Sequence, residues 1–245
     1  MELGVVDCRA RRAAYNARPM TLLSIQDLRK DHADPEGGSR TILEVGAFAL
    51  EAGEQVALSG RSGCGKTTFL DLIAGIATPD AGSIRLDGRE LVGLSDAARD
   101  RLRAREIGYV YQRFHLLDAY SAIENVLLGM LFGPGPDRDR ARELLVRLGL
   151  EQRLNHRPDQ LSIGQQQRVA VARALAARPR LVLADEPTGS LDTASAAEAM
   201  GLLREACAEA GAALLVVSHD PVLVAGFERR EDLGELNRAA AGGAG

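Results

Sequence analysis

The sequence predicts an α/β fold, a mainly parallel sheet covered by helices, and three observations carry that prediction. The last third alternates short apolar segments with long helical ones. The apolar segments 181–184 and 213–218 have no polar alternation, the pattern of strands buried on both faces. A glycine-rich loop lies between an apolar strand and an apolar-periodic helix near residue 60. The 245 residues suit one large domain. Hydrophobic residues at 46% can fill its core, and aromatics at 4% mean that Leu, Val, Ala and Ile must do so.

Taken in order, residues 1–20 carry Arg9, Arg11, Arg12 and Arg18 with no apolar run behind them, so they do not read as a signal peptide. They read as a disordered extension, or as a stretch ahead of a true start at Met20. A strand is expected at 22–28 and a polar loop at 30–40. Two strands follow at 41–50 and 55–59, joined by the turn 51–54. A helix is expected from Thr67 to about Ala74, then a small β-turn unit at 83–88 closed by Asp87 and Gly88. Residues 95–177 read as mainly helical, broken by a strand at 107–111 and by Gly133-Pro134-Gly135-Pro136. Ser121 with Glu124 forms a capping box that opens one of these helices. Strand, helix and strand then follow at 181–184, 193–210 and 213–218, and 238–245 reads as a flexible tail.

No apolar stretch approaches the roughly 20 residues that cross a bilayer. The net charge of −4 argues against a nucleic-acid partner. Arg99, Arg101, Arg103 and Arg105 are interleaved with Asp96, Asp100 and Glu106 and read as a solvated helix face. Three scattered cysteines, Cys8, Cys64 and Cys207, fit neither a disulfide framework nor a metal site, as in a reducing cytoplasm.

The chemistry begins at Gly60. Residues 60–67 read GRSGCGKT, the pattern G-x-x-x-x-G-K-[ST] in the strand–loop–helix setting it requires. Gly60, Ser62, Gly63 and Gly65 let backbone N–H groups turn around phosphate oxygens, and the helix start adds its positive end. Lys66 would reach the β- and γ-phosphates, Thr67 would ligate Mg²⁺, and Thr68 would help at the next phosphate. ATP and Mg²⁺ are therefore the expected ligands. Residues 181–186, LVLADE, form an apolar strand ending in two carboxylates. Asp185 suits the Mg²⁺ side, and Glu186, turned the other way by strand alternation, suits the general base. Ser162 and Gly164, within LSIGQ at 161–165, sit at a helix start, a second phosphate-binding geometry. Gln112 follows the strand 107–111, and His219 follows the strand 213–218.

In this order these motifs resemble the ABC (ATP-binding cassette) ATPase family, from about Leu22 to Asn237. The resemblance implies a P-loop NTPase fold with a mainly parallel core sheet, an antiparallel β subdomain and a helical subdomain at about 95–165. It implies two cassettes, head to tail, with each ATP between one phosphate loop and the partner's LSIGQ segment. Ser162, Gly164 and Gln165 would contact the γ-phosphate in trans. Gln112 would sense Mg²⁺ and the attacking water, Asp192 would link the two sites, and His219 would hold the γ-phosphate. Ile163 replaces the first glycine of the family's L-S-G-G-Q, and the adenine-stacking Tyr is missing, with His32 the nearest candidate.

Within the family, residues 107–117 (IGYVYQRFHLL), 181–192 (LVLADEPTGSLD) and 155–158 (NHRP) look most like the ATPases of lipoprotein-releasing, macrolide-export and cell-division-type transporters. That implies a homodimer in the ATP-bound state, working beneath an integral membrane permease on the cytoplasmic face of the cell membrane. The stretch 113–132, with Phe114, Tyr120 and Phe132, is where the permease would dock, unless those rings only pack the core. An importer ATPase and a soluble, non-transport ABC protein are the alternative readings.

Overall fold

The computed structural model describes residues 21–33, 38–189 and 191–241. The expected extension 1–20, Ser190 and residues 242–245 lie outside them. Two sheets share the chain. Strands β1 (Thr21–Ala33), β2 (Ser39–Glu51), β4 (Ala81–Leu86) and β5 (Arg89–Glu90) form an antiparallel sheet in the order β2-β1-β4-β5. Strands β3 (Gln55–Ser59), β6 (Ile107–Val110), β7 (Leu181–Asp185), β8 (Ala213–Val217) and β9 (Arg229–Asp232) form a parallel sheet in the order β6-β7-β8-β3-β9.

Alternation along the parallel strands explains why both faces are covered. Val56, Leu58, Leu181, Leu183, Leu215 and Val217 face one core, shared with helix α1 (Lys66–Ile73) and the antiparallel sheet. Ala57, Val110, Val182, Ala184, Leu214 and Val216 face a second core. That core is completed by helices α3 (Ala122–Leu128), α4 (Arg138–Arg147), α5 (Ile163–Ala176) and α6 (Thr193–Ala210). Phe69 of α1 is fully buried and meets Phe48 of β2 edge-on, ring centroids 5.6 Å apart, which fastens the helix after the phosphate loop to the antiparallel sheet.

Helix α2 (Asp96–Glu106) has no buried residue and carries the arginine cluster, with Arg99 and Arg103 paired to Asp96 and Asp100 one turn earlier. Arg101 and Arg105 are solvated as read, whereas Arg99 and Arg103 are half-buried, Arg103 also donating to Ala74 O and Gly75 O. The capping box at Ser121 is present, with Ser121 N–H donating to Glu124 at 2.8 Å. Short helices α7 (Pro221–Ala225), α8 (Leu233–Leu236) and α9 (Arg238–Ala241) finish the chain.

Two expectations are corrected. The polar stretch 30–40 was expected as a loop, yet Lys30 pairs with Leu43, Asp31 with Thr41 and His32 with Arg40, so the hairpin arms run through most of it. Cross-strand polar bonds compensate for the missing apolar signal: Asp31 accepts from Thr41 Oγ1 at 2.7 Å and from Arg29 Nε at 3.0 Å. Residues 238–241, expected as part of a flexible tail, form α9 instead, which packs on β2 with the Arg238 guanidinium beside Gly46.

Candidate active site

Strands β3, β7 and β8 lie side by side and parallel, so the loops leaving their carboxyl ends meet at one edge of the sheet. The first is the phosphate loop. Gly63 and Gly65 take φ values of 79° and 95°, in the left-handed region, and a Cβ on Gly65 would stand 3.2 Å from Leu43 Cδ1. A residue with a side chain at Gly65 would be strained and crowded at once. Phe69 N–H then donates to Gly65 O at 2.8 Å and starts α1. Lys66 Nζ folds back over the loop, donating to Gly60 O at 2.8 Å and Arg61 O at 3.3 Å.

The second loop follows β7. Asp185 Oδ2 accepts from Thr67 Oγ1 at 2.8 Å, joining the strand tip to the first turn of α1. Burial pushes the Asp185 carboxyl above the usual carboxylate range, opposed by the Thr67 bond and reinforced by the neighbouring Glu186. Glu186 takes φ 44°, uncommon for a residue with a side chain, and its N–H donates to Val217 O at 3.0 Å. Its carboxylate is therefore turned away from Asp185. Oε1 lies 3.4 Å from Lys66 Nζ, and Oε2 lies 2.9 Å from His219 Nδ1 and accepts from the His219 backbone N–H at 3.2 Å. His219 follows β8, so the third loop supplies the group that orients Glu186.

Gln112 comes from the loop after β6. Its Nε2 is 3.2 Å from where a Cβ on Gly189 would stand, over the turn that follows Glu186. His32 and Ile42, from the antiparallel sheet, also line the cleft. The result is an open cleft of about 730 Å³, in the range of small-ligand sites. Of the residues singled out in the sequence, Ser62, Gly63, Gly65, Lys66, Thr67, Thr68, Gln112, Asp185, Glu186, His219 and His32 line it. Gly60 borders it through the carbonyl that Lys66 holds.

Ser162, Gly164, Gln165 and Asp192 are not in this wall. Ser162 caps α5 in a box with Gln165, each backbone N–H donating to the other's side chain at 3.0 and 3.3 Å. A Cβ on Gly164 would meet open space, and Ile163 beside it is 52% exposed. Asp192 accepts from Ser195 N–H at 3.0 Å and Ser195 Oγ at 2.6 Å at the start of α6. These residues present a second surface in place of completing the first.

Two contributors were missed in the sequence. Asn237 is 1% exposed, donates to Ile42 O at 2.9 Å and Cys64 O at 3.1 Å, and accepts from Glu44 N–H at 2.8 Å. It clamps the phosphate loop to β2. Gln167, equally buried, donates from Nε2 to Pro187 O at 2.7 Å, tying α5 to the turn after Glu186. For Gln167 the available signal was a polar residue inside a helix whose next turn, Ala170 and Val171, is apolar. Cys64, within the phosphate loop, is half-buried, and burial pushes its thiol up, which lowers its reactivity.

A separate groove of about 510 Å³ lies between α2 and α5, lined by Arg103, Tyr109, Gly129, Phe132, Arg173 and Ala177 among others. Phe132 is 79% exposed and Tyr120 42% exposed, so neither ring is core packing, while Phe114 is half-buried. Among the described residues no helix is long and apolar enough to cross a membrane.

A family model described as ABC transporter matches residues 43–189. Curated relatives agree over most of both chains. The lipoprotein-releasing system ATP-binding protein LolD of Pseudomonas fluorescens is 45% identical over 213 residues, covering 85% of this chain and 92% of that one. The protein of the same name from Chromohalobacter salexigens is 43% identical over 205 residues, 82% and 86% of the two chains. LolD 2 of Rhodospirillum rubrum is 43% identical over 218 residues, 87% and 94%. Among solved structures, a dimeric ATP-binding cassette in a post-hydrolysis state, bound to ADP and Pi, superposes with a TM-score of 0.78 at 34% identity. The match covers 89% of this chain and 95% of that one. A dimeric bacterial ABC transporter cassette gives 0.77 at 35% identity, over 86% and 95%.

Proposed function

Because the chain belongs to the ABC transporter family and is an ATP hydrolase of that type, we propose that it drives a membrane permease of the lipoprotein-releasing kind by ATP-dependent dimerisation. The observation that carries the hydrolytic part is the placement of Glu186. Its carboxylate is buried, oriented by His219 and Lys66, and turned into the phosphate-loop cleft. In hydrolysis the Glu186 carboxylate takes a proton as a water oxygen bonds to the γ-phosphorus and the bond from that phosphorus to the β–γ bridging oxygen breaks. Lys66 neutralises phosphate charge, Gln112 orients the water, and His219 holds both Glu186 and the γ-phosphate.

The hydroxyl, carboxylate and amide oxygens of Thr67, Asp185 and Gln112 are hard donors on one side of the cleft, a set suited to Mg²⁺. The bond between Thr67 and Asp185 and the burial of that carboxyl support this fit. When bound, Mg²⁺ supplies charge neutralisation at the phosphates. His32, from the antiparallel sheet, is the adenine-side contact.

Ser162, Gly164, Gln165 and Asp192 act across the dimer, where the solvent-facing start of α5 reaches the partner's nucleotide. Their absence from the chain's own cleft and the dimeric state of the neighbouring structures support this. The groove beside Phe132 receives the permease and holds the chain to the cytoplasmic face of the membrane. The names of the relatives support the lipoprotein-releasing branch. Purification of tagged Glu186→Gln protein from detergent-solubilised membranes with MgATP tests the proposal. A co-purifying permease with few membrane helices and a large extracytoplasmic domain is expected. A many-helix permease with a binding protein would make it an importer, and no membrane partner would return the soluble reading.

A further inference from the structure

Arg173 lies in the last turns of α5, eleven residues beyond Ser162. Its guanidinium points across to the turn that follows Gln112. Nη2 donates to Phe114 O and Nη1 to His115 O, both at 2.6 Å. These are short, charge-assisted bonds to two successive carbonyls, which the planar guanidinium reaches with two separate nitrogens in a fixed fork. Burial pulls the Arg173 pKa below the usual guanidinium range, and no carboxylate among the described residues forms an ion pair with it. A half-buried charge committed to main-chain oxygens alone calls for a reason beyond stability.

The turn it holds is a strained one. His115 takes φ 47°, and its ring meets the edge of Tyr111 with centroids 5.0 Å apart. Such a conformation persists where the surroundings over-determine it. Here Arg173 fixes the main chain at Phe114 and His115, and Asn125 fixes it two residues on, accepting from Leu117 N–H at 2.8 Å. Between Tyr111 and these anchored residues stands Gln112, whose own side chain reaches the cleft. The helix that carries Arg173 is itself fixed against β6, since a Cβ on Gly108 would come within 2.3 Å of Ala174 O.

We infer that Arg173 is a positioning residue for ATP hydrolysis, holding the Gln112 turn on α5 so that the Gln112 amide stays over the site. The inference rests on the reading of Gln112 as a hydrolytic residue. Because α5 begins at Ser162, the same helix then connects the surface offered to the partner's nucleotide with the loop serving its own. Arg173 also lines the groove beside Phe132, so a segment bound there touches the residue that sets Gln112.

A double-mutant cycle with the full chain tests this: wild type, Arg173→Lys, Gln112→Ala and the double variant, each with kcat, KM, nucleotide Kd and Tm measured. Lysine keeps the charge but lacks the fork. Arg173→Lys should lower kcat about tenfold with nucleotide Kd within about twofold of wild type. In the Gln112→Ala background the same substitution should change kcat by less than about twofold. An equal loss in both backgrounds, or no loss in the wild type, would overturn the inference. Wild-type turnover in Gln112→Ala alone would instead remove the reading of Gln112. Should Arg173→Lys fold poorly, Arg173→Gln enters the same cycle. Hydrogen exchange supplies the independent measurement, with faster exchange at Leu117 expected in the folded variant, and unchanged exchange there with lost kcat contradicting the positioning role.

Discussion

Glu186 and Asp185 are adjacent in sequence, and their different surroundings underlie the different roles proposed for them. Asp185 ends a buried strand beside a hydroxyl donor, while Glu186, at φ 44°, swings toward Lys66 and His219. Replacing Lys66 with Ala removes the cation at the phosphates, and MgATP affinity should fall at least tenfold, measured by a fluorescent nucleotide titration. Retained affinity would contradict the cradle. Asp71 offers a pH test nearby. Its carboxyl is raised by burial, opposed by the Tyr109 hydroxyl bond at 3.3 Å and reinforced by Asp185. A raised folded-state pKa means that ionisation disfavours the fold above that pKa, and the penalty vanishes below the unfolded pKa. Asp71→Asn should therefore raise Tm at neutral pH, with the advantage shrinking as pH falls toward 4. An advantage constant with pH would point to packing instead. The phosphate-loop residues were readable because eight consecutive positions encode them. Asn237 was not, because its partners at Ile42 and Cys64 are 195 and 173 positions away.

At the scale of elements, local chemistry predicted ends well and strand lengths poorly. The capping box at Ser121 needs only four residues of context, and it is present as read. Ser121→Ala should cost about 1 kcal/mol, a fall of about 2–4 °C in Tm read by thermal unfolding, and an unchanged Tm would mean that the box does not hold the helix start. The hairpin arms of β1 and β2 went unread at 30–40 because partners across the hairpin, not intrinsic propensity, hold polar residues in a strand. Helix α5 shows a further limit. Its sequence marks the start at Ser162, but the contacts of Gln167 and Arg173 depend on which loops the sheet order brings beneath it. Gly108 is the tightest of these contacts. Gly108→Ala would push β6 off α5 and should lower stability by about 1–3 kcal/mol, read by denaturant midpoint. An unchanged midpoint would mean that the strand and helix are not held at this distance.

For the whole molecule, the parallel sheet was legible because strands buried on both faces leave an unbroken apolar signature, as 181–184 and 213–218 do. The antiparallel sheet was legible mainly through family resemblance, its strands being half-exposed and partly polar. The assembly follows from a division within the chain. One set of residues lines the cleft, and another, at the start of α5 and α6, is not among its lining residues. In the proposed dimer a single copy carries two halves of different sites, and two copies complete both. In that proposal nucleotide stabilises the dimer by mass action, and hydrolysis releases it. Sedimentation velocity of Glu186→Gln with and without saturating MgATP examines this most directly. The account predicts a monomer without nucleotide and a species of twice the mass with it, bound ATP remaining unhydrolysed over the run. A variant that binds MgATP yet stays monomeric, or that hydrolyses it at the wild-type rate, would contradict it.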